Sequence, residues 1–317
     1  MNNIKFSIAI PAYKKHFLQE AISSCMSQTY QNFELIIVDD CSPEDLKSIV
    51  NRFSDERIRY YRNKKNCGAI DVVDNWNNCL KYATGDYIIC MGDDDMLCDD
   101  TLEQYVCLIK KYPDLGVYHA WTAIIDENSQ IFKMQEPRPE WECCFSLAYN
   151  RWNRTQFIGD FCYEVQRLKQ DGGFVYLPLA WGSDDITAVQ AARYGGIANT
   201  QHIAFKYREN RYTISSTGNI VEKMNAILQE KTWYYTFINN NKELLNTEYD
   251  DIYRKCLLST IELHYKDKMK ITLGLHLGHK PLDLFYWLKN RKKYSLSILR
   301  ILYSFRFGFE NKYFHGK

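Results

Sequence analysis

Apolar residues in the first 120 positions alternate between short continuous runs and longer runs with helical spacing. The short runs predict buried strands, and they lie at residues 5–10, 33–38, 58–61, 87–91 and 117–121. Between them, apolar residues recur every three or four positions, which predicts helices, one of them at residues 70–83. This alternation favours an α/β fold in which helices flank a mostly parallel sheet.

Polar residues directly follow three of the predicted strands. In a parallel sheet, ligands bind beyond the carboxyl ends of the strands, so these residues should converge on one edge. Three adjacent carboxylates repel one another, and a divalent cation among them relieves that repulsion. A plain acidic turn is the alternative for that cluster. The three groups are Pro11-Ala12-Tyr13, Asp39-Asp40 and Asp93-Asp94-Asp95.

The chain becomes less regular after the first 120 residues. Residues 122–180 are expected to form loops and short helices that cover the sheet, and the chain from residue 225 onward is predicted to be helical. A second acidic pair, Asp184-Asp185, precedes an apolar helical run. No Gly-x-Gly-x-x-Gly follows the first strand and no Gly-Lys-Ser/Thr loop occurs, which disfavours a dinucleotide fold and a P-loop.

Charge is unevenly distributed along the 317 residues. The net charge of +1 gives no indication of a nucleic-acid partner, but residues 266–317 hold 12 basic and 3 acidic residues, a net of +9. On a helix, Lys293, Ser297, Arg300 and Ser304 would form one polar stripe beside an apolar face. This pattern predicts an amphipathic tail at residues 288–317 that binds an anionic membrane surface. The alternative is a helix packed on the catalytic domain or in a homodimer.

Cysteine content and segment lengths indicate the compartment. Eleven cysteines with no zinc-type spacing favour a reducing environment, and several lie in apolar runs. No secretory signal and no transmembrane helix are expected, because no apolar run is long enough. We therefore expect a cytoplasmic protein. Its tail would associate peripherally with the inner face of the cytoplasmic membrane.

Several motifs, taken in order, resemble the family 2 glycosyltransferases of the GT-A fold. The resemblance extends over residues 5–215 and implies a catalytic domain at residues 1–220, with a nucleotide-sugar half (1–120) and an acceptor half (121–220). Residues 221–317 would then form a helical C-terminal region. The motifs are SIAIPAY at 7–13, SQTYQNFELIIVDDCS at 27–42, NCG at 66–68, NWN at 75–77, ATGDYI at 83–88 and the aspartates at 93–95.

The resemblance implies a nucleotide site. Asp40 would accept a hydrogen bond from a base N–H, with helix capping as the alternative, and Tyr13 would offer its ring to the base or ribose, with plain packing as the alternative. Asp93 would face the ribose. The implied nucleotide-binding residues are Pro11, Ala12, Tyr13, Asp40, Asn66, Gly68, Asn77 and Asp93.

The resemblance also implies a bound Mn²⁺ or Mg²⁺. Asp94 is the implied metal ligand, and Asp95 would support the metal or its waters. Gly92 stands where many members of the family carry the first aspartate of the motif, so the choice of ligand among the three stays open. The metal would neutralise the leaving diphosphate.

The remaining implied roles belong to residues after position 180. Asp185 is the first candidate for the general base and Asp184 the second, while helix capping is the alternative for both. Arg208 is implied as a diphosphate contact, with a surface salt bridge as the alternative. Tyr207-Arg208 and Ser215-Ser216 together resemble a Tyr-Arg…Ser pattern that many members of the family carry.

These features together predict an inverting, metal-dependent glycosyltransferase. It would move a sugar from a nucleotide-sugar donor, with a UDP-sugar favoured, to a hydroxyl of a glycan or lipid-linked saccharide in surface polysaccharide biosynthesis. Two alternatives stay open from the sequence. One is a metal-dependent nucleotidyltransferase, and the other is a catalytically silent partner subunit that binds a sugar nucleotide.

Overall fold

The computed structural model describes residues 4–210 and 219–314, so Ser215-Ser216 lies outside the described residues. Ten strands form one sheet in this part of the chain. They are β1 (Phe6–Ala12), β2 (Phe33–Asp39), β3 (Ile58–Arg62), β4 (Tyr87–Cys90), β5 (Met96–Leu97), β6 (Val117–Ile125), β7 (Ile131–Met134), β8 (Trp141–Glu142), β9 (Phe161–Glu164) and β10 (Ile197–Arg208).

Eleven α-helices accompany the strands within the described residues. They are α1 (Leu18–Met26), α2 (Leu46–Val50), α3 (Val72–Tyr82), α4 (Thr101–Lys111), α5 (Cys144–Asn150), α6 (Val165–Gln170), α7 (Ser183–Ala191), α8 (Ile220–Asn240), α9 (Glu248–His279), α10 (Leu284–Asn290) and α11 (Ile298–Phe314).

The sheet is parallel in its first half and mixed in its second. The strand order is β3-β2-β1-β4-β9-β6-β10-β5, and the first four strands of this order are parallel to one another. Strand β9 runs antiparallel to both β4 and β6. The α/β prediction is confirmed, and the second half of the sheet is mixed. The sequence pattern did not predict the antiparallel strand β9, because it assigned that region to loops and short helices.

The strands at the centre of the sheet explain the continuous apolar runs of the sequence. Every residue of β2 is buried, and so is every residue of β1 except Pro11. A strand covered by helices on both faces needs apolar side chains at successive positions rather than at alternate ones. The carboxyl ends of β1, β2 and β4 therefore lie side by side and present their polar loops at one edge.

The described chain forms two compact units. The sheet unit includes the residues up to Tyr176 and those from Ser183 to the end of β10, while Leu177–Gly182 joins helices α8–α11 in the helical unit. The predicted boundary at 220/221 lies at the start of α8, but the contribution of the short segment 177–182 was not predicted. Within residues 4–210 and 219–314, none of the helices combines the length and hydropathy needed to span a membrane.

In the helical unit, α11 contacts α9 through its smallest residues. A Cβ atom added to Gly308 would lie 1.8 Å from the backbone oxygen of Gly274, so the two helices meet backbone to backbone. Ser304 is fully buried at the same contact. The predicted polar stripe of Lys293, Ser297, Arg300 and Ser304 is therefore wrong in its orientation, because Ser304 faces the neighbouring helix instead of water.

Candidate active site

The loops after β1 and β2 are tied together by hydrogen bonds. The backbone N–H of Asp40 donates to the carbonyl of Ala12 at 2.8 Å, and the hydroxyl of Ser42 donates to the carbonyl of Tyr13 at 2.6 Å. Asp39 is fully buried and accepts from the backbone N–H of Ser42 at 2.7 Å. Pro11-Ala12-Tyr13 and Asp39-Asp40 thus form one surface, as the strand order predicted, with the half-exposed ring of Tyr13 at its edge.

Asp40 organises the loop that follows β3. One carboxylate oxygen accepts from the side chain of Asn63 at 2.8 Å and from the backbone N–H of Cys67 at 3.0 Å. Asn66 and Gly68 are exposed beside this anchor, and Gly68 has a φ of +76°, which a glycine adopts without strain. A carboxylate offers about four lone-pair sites, so Asp40 keeps acceptor capacity for a further N–H.

Asn77 lies in α3 and bonds the backbone of a distant loop. Its side-chain oxygen accepts from the N–H of Phe174 at 2.9 Å, and its amide nitrogen donates to the carbonyl of the same residue at 3.3 Å. This pairing uses both ends of the amide to hold the loop after α6. The geometry therefore favours a structural role for Asn77 in place of the predicted nucleotide contact.

Asp93 and Asp95 are both held by backbone N–H groups. Asp93 accepts from the N–H groups of Tyr13 and Lys14, each at 2.7 Å, which fastens the loop after β1 to the loop after β4. Burial and the charge of Asp94 raise the pKa of Asp93 to about 6. Asp95 is buried and accepts from the N–H of Arg208 at 3.0 Å.

Asp94 has a different environment from its two neighbours. One of its carboxylate oxygens accepts from the side chain of Asn210 at 2.7 Å, and the residue lines an open cavity. Burial and the charge of Asp94 raise the pKa of Asp95 well above its usual range, so the three acids interact electrostatically. Of the three candidates, Asp94 is best placed to meet a ligand from the cavity.

Gly92 explains the departure from the common motif. A Cβ atom added at this position would lie 2.8 Å from an oxygen of Asp94 and 2.8 Å from an oxygen of Asp95. Its backbone N–H also donates to that same oxygen of Asp95 at 3.1 Å. An aspartate at position 92 would therefore collide with the carboxylates that follow it.

Arg208, implied by its motif as a diphosphate contact, is directed toward protein groups in this structure. It is fully buried, and its guanidinium donates to the carbonyls of Asp94 and Asp126 and to the carboxylate of Glu20, at 2.8, 3.1 and 2.8 Å. It also donates to the hydroxyl of Ser129 at 3.0 Å. Because protein groups occupy its N–H donors, the geometry assigns Arg208 to holding the main chain at Asp94.

The cavity beside Asp94 has a volume of about 350 Å³. Its wall combines two carboxylates of the triple with cationic and amide side chains, which suits a ligand that carries both phosphate and a metal ion. Lys14 and His16 follow the first strand motif closely, but sequence reasoning did not assign them a role. The lining residues are Lys14, His16, Phe17, Glu44, Asp93, Asp94 and Asn210.

The residues present fit a metal ion shared with a ligand better than one enclosed by protein. Among residues 4–210 and 219–314, no group of three or more His, Cys, Asp or Glu side chains is arranged to hold a metal. Mg²⁺ at phosphate-transferring sites is typically held by one or two carboxylates together with substrate phosphates. Asp94 offers one such carboxylate at the cavity wall.

Asp184 and Asp185 begin helix α7, and their environments differ. Asp185 is buried and accepts from the side chain of Gln156 at 2.8 Å and from the guanidinium of Arg151. Asp184 is partly exposed and accepts from the backbone N–H of Asp185 at 3.0 Å. Burial and the charge of Asp185 raise the pKa of Asp184 well above its usual range, whereas the charge of Arg151 lowers it.

These contacts reverse the predicted order of the two base candidates. Both oxygens of Asp185 already accept from protein side chains, whereas the raised pKa of Asp184 brings that carboxylate closer to neutral pH. The geometry therefore favours Asp184 over Asp185. Sequence reasoning missed Arg151 and Gln156, which lie in a segment without clear periodicity.

Tyr207 lies within electrostatic reach of both acidic clusters. Its ring stacks on that of Phe157, with centroids 3.5 Å apart. Burial is the largest cause of the raised pKa of Tyr207, and the charges of Asp95, Asp94 and Asp184 add to it. The charges of both clusters thus act on the same phenol group, although more than 85 residues separate the clusters along the chain.

Known proteins similar to this chain share one activity. Residues 7–170 match the family described as Glycosyl transferase family 2. An Escherichia coli protein named UDP-Glc:alpha-D-GlcNAc-diphosphoundecaprenol beta-1,3-glucosyltransferase WfgD is 32% identical over 220 residues, which are 68% of this chain and 81% of the relative. The putative colanic acid biosynthesis glycosyl transferase WcaA of Escherichia coli K12 is 41% identical over 30% of this chain and 34% of its own length.

Solved structures show that the fold is shared. The structure of residues 1–349 of S. aureus TarS in complex with UDP-GlcNAc aligns over 98% of this chain and 92% of its own, with a TM-score of 0.64 and 14% identity. A mannosyltransferase from Pyrobaculum calidifontis, in complex with GDP-Man and Mn²⁺, aligns over 97% and 87%, with a TM-score of 0.55 and 16% identity. These alignments confirm the predicted fold.

Proposed function

Because the chain belongs to glycosyl transferase family 2, we propose that it transfers a sugar from a UDP-sugar to a hydroxyl of a lipid-linked saccharide, with inversion. The protein is a glycosyltransferase with the GT-A fold. The position of Asp94 carries the proposal for its active site. Asp93 and Asp94 both line the cavity, but Asp93 is already held by two backbone N–H groups, whereas Asp94 accepts from the side chain of Asn210. Asp95 is buried and accepts from the backbone N–H of Arg208.

The donor would lie across the loops after β1, β2 and β4. The proposed nucleotide contacts are Asp40 to the base, Tyr13 to the base or ribose, and Asp93 to the ribose. The cavity beside Asp94 would receive the diphosphate, because Lys14 and His16 line it together with the carboxylates. Two relatives support a UDP-sugar: the Escherichia coli glucosyltransferase is named for UDP-Glc, and the TarS structure contains UDP-GlcNAc.

Mn²⁺ or Mg²⁺ would bind through Asp94. When bound, the ion neutralises the charge that develops on the departing diphosphate. Two residues hold Asp94 in place for this role. Asn210 donates to one carboxylate oxygen of Asp94, and Arg208 donates to the backbone carbonyl of Asp94. The mannosyltransferase structure that contains Mn²⁺ supports a metal-dependent reaction.

The acceptor hydroxyl would lose its proton to the Asp184–Asp185 pair. In a direct displacement, the hydroxyl oxygen attacks the anomeric carbon, the bond to the diphosphate breaks, and its electron pair leaves with the nucleotide. The proton passes to a carboxylate, for which Asp184 is the first candidate and Asp185 the second. Arg151 and Gln156 hold Asp185 in place and so orient the pair.

The acceptor and the location of the enzyme are parts of the same proposal. The Escherichia coli relative is named for a GlcNAc-diphosphoundecaprenol acceptor, which is a lipid-linked saccharide. The chain carries a net charge of +9 in residues 266–317, which would attract it to anionic lipid at the inner face of the cytoplasmic membrane. These two features support a role in surface polysaccharide biosynthesis.

Nucleotide binding provides the first test of the proposal. UDP and UDP-sugars with Mn²⁺ should raise the melting temperature, because a ligand at 100 times its Kd stabilises the folded state by about 2.7 kcal/mol. GDP- and dTDP-sugars serve as comparison ligands. If none of these nucleotides shifts the melting curve, the donor site has been assigned wrongly.

A transfer assay provides the second test. The enzyme is incubated with the stabilising UDP-sugar and a prenyl diphosphate-linked GlcNAc, and the product is analysed by NMR. A product whose anomeric configuration is opposite to that of the donor supports inversion. A product that retains the configuration of the donor would exclude the direct displacement.

A further inference from the structure

Helix α11 buries Ile301 but exposes several large apolar side chains on its outer side. On its outer side Leu299 is 67% exposed, Tyr303 is 61% exposed and Phe309 is 50% exposed. On its inner side, Ser304 and Gly308 contact α9. In a globular protein, the large apolar side chains of a surface helix face the core and the small or polar ones face solvent.

The contact between α9 and α11 is of the kind found between helices in lipid. Gly274 and Gly278 lie one turn apart on α9, and a Cβ on Gly278 would lie 2.6 Å from the backbone oxygen of Gly308. Where lipid surrounds the helices, small residues mediate helix contact and large apolar residues face outward. The α9–α11 pair combines both features.

Basic residues lie in the same place as the outward apolar residues. A groove of about 410 Å³ between α9 and α11 is lined by Leu263, Leu299 and Tyr303 together with four cationic side chains. Two acids also line the groove, Asp267 and Glu310, and Glu310 is paired with Arg306 at 2.6 Å. The cationic residues are Lys266, Lys270, Arg300 and Arg306.

We propose that the outer side of the α9–α11 pair is a binding surface for an anionic phospholipid bilayer. Leu299, Leu302 and Tyr303 enter the boundary between head groups and acyl chains, and the basic groove receives lipid phosphate. An enzyme that acts on a lipid-linked acceptor needs a surface that contacts the membrane, and the purpose of this surface therefore rests on the proposed function. The lipid-facing surface is thus the apolar side of α11.

Charge complementarity favours lipid over a second copy of the chain. The groove is lined by four basic and two acidic residues and lies in a segment, residues 266–317, whose net charge is +9, so two copies of it would repel each other across a symmetric interface. An anionic bilayer attracts juxtaposed basic residues by about 1 kcal/mol for each residue near its surface. The same bilayer accepts the exposed leucine and tyrosine side chains that water does not solvate well.

Vesicle flotation of the full chain tests the inference without donor or acceptor. The protein is mixed with phosphatidylcholine vesicles, or with vesicles of phosphatidylcholine and phosphatidylglycerol, at low and high salt. We expect binding to the anionic vesicles that weakens about tenfold or more in high salt, and little binding to the neutral ones. Equal binding to both vesicle types, or to neither, would contradict the proposal.

One double variant and a matched control locate the surface. Leu299→Glu combined with Tyr303→Glu should weaken binding to anionic vesicles about tenfold or more, because both side chains are exposed in the folded protein. Tyr249→Glu changes a tyrosine of α9 that is 74% exposed and does not line the groove, and it should bind as the wild type does. Melting curves verify that each variant is folded.

The remaining outcomes separate this inference from its alternatives. Wild-type binding by the folded double variant would contradict the proposed surface. A wild-type dimer in sedimentation velocity, converted to a monomer by Leu299→Glu and Tyr303→Glu, would replace the lipid by a second copy. Melting shifts with UDP-sugars do not depend on vesicles, so the donor site and the membrane surface can each fail alone.

Discussion

The two acidic clusters of the sheet unit are held by different kinds of partner. Backbone N–H groups hold Asp93 and Asp95, whereas the side chains of Arg151 and Gln156 hold Asp185. In each cluster one carboxylate differs from its neighbours: Asp94 lines the cavity and accepts from a side chain, and Asp184 is partly exposed beside the buried Asp185. The first cluster thus depends on the fold itself, and the second depends on two replaceable side chains.

This difference has a functional meaning. A metal ligand must keep its position through each turnover, and the backbone N–H groups that hold Asp93 and Asp95 on either side of Asp94 persist through every substitution except one by proline. A general base needs a tuned pKa, and a nearby guanidinium is a strong means of tuning it. The comparison predicts that substitutions in the first cluster act on turnover or folding, while substitutions around the second also change the pH dependence.

The largest effect is expected from Asp94→Asn. It should reduce kcat by about 10³-fold, because the metal ion that supports the leaving group loses its protein carboxylate. The melting temperature without ligand should stay equal or rise, since the charge of Asp94 adds to burial in raising the pKa values of Asp93 and Asp95. Steady-state transfer and a melting curve measure the two effects.

Asp114→Asn is the control for that variant, because Asp114 is an exposed carboxylate outside the cavity. It should leave turnover unchanged. Near-normal turnover of Asp94→Asn at saturating Mn²⁺ would show that another acid holds the metal.

Asp184→Asn is expected to have the next largest effect. Removal of a general base typically costs about 10²–10⁴-fold in rate, and UDP binding should be preserved. Asp185→Asn should cost less rate but more stability, because Arg151 then loses its buried partner. If Asp185→Asn is the slower enzyme at equal stability, the order of the two bases that the sequence predicted was right.

Arg151→Gln should change both stability and pH dependence. Breaking a buried ion pair by removing one partner costs about 3–5 kcal/mol in the free energy of unfolding. The charge of Arg151 lowers the pKa of Asp184, so its removal raises that pKa and moves the acidic limb of the pH–rate profile to higher pH.

Arg154→Gln provides a matched control for this variant. Arg154 forms an ion pair of similar burial with Glu142, at 2.7 Å. Its loss should destabilise the fold by a similar amount and leave the pH–rate profile in place. An equal shift of the profile in both variants would mean that Arg151 does not act on the base specifically.

The smallest effect is the pH dependence of stability that comes from Asp160. This acid is fully buried and accepts from Thr122 and Gln135 at 2.6 and 2.7 Å, and burial raises its pKa to about 6. Since the unfolded chain has a pKa of about 3.9 there, the folded state binds more protons between about pH 4 and pH 6. Its contribution to stability is therefore lost as the pH rises through that range.

Denaturant unfolding at several pH values measures this slope. In Asp160→Asn the free energy of unfolding should fall less between about pH 4 and pH 6, although the variant is less stable overall. An unchanged slope would assign the titration to other buried acids.

Part of the site could be predicted because periodicity reveals elements and their ends. The apolar runs identified the strands β1, β2 and β4, and parallel strands bring their carboxyl-end loops to one edge. Strand β9 escaped prediction because it lies outside the regular alternation of strands and helices, and only its pairing with β4 and β6 in the folded chain identifies it. The resemblance implied a nucleotide role for Asn77. The sequence could not reveal its pairing with Phe174, because the two residues lie 97 positions apart.

The amino-acid sequence by itself determined the α/β order, the family and the acidic clusters at the strand ends, because these depend on local patterns. The tertiary structure decided which acid in each cluster is open, because the deciding partners are distant. Asn210 meets Asp94 across 116 positions, and Arg151 meets Asp185 across 34. It also decided which side of α11 faces outward, since a helical period shows that two faces differ and packing selects the buried one.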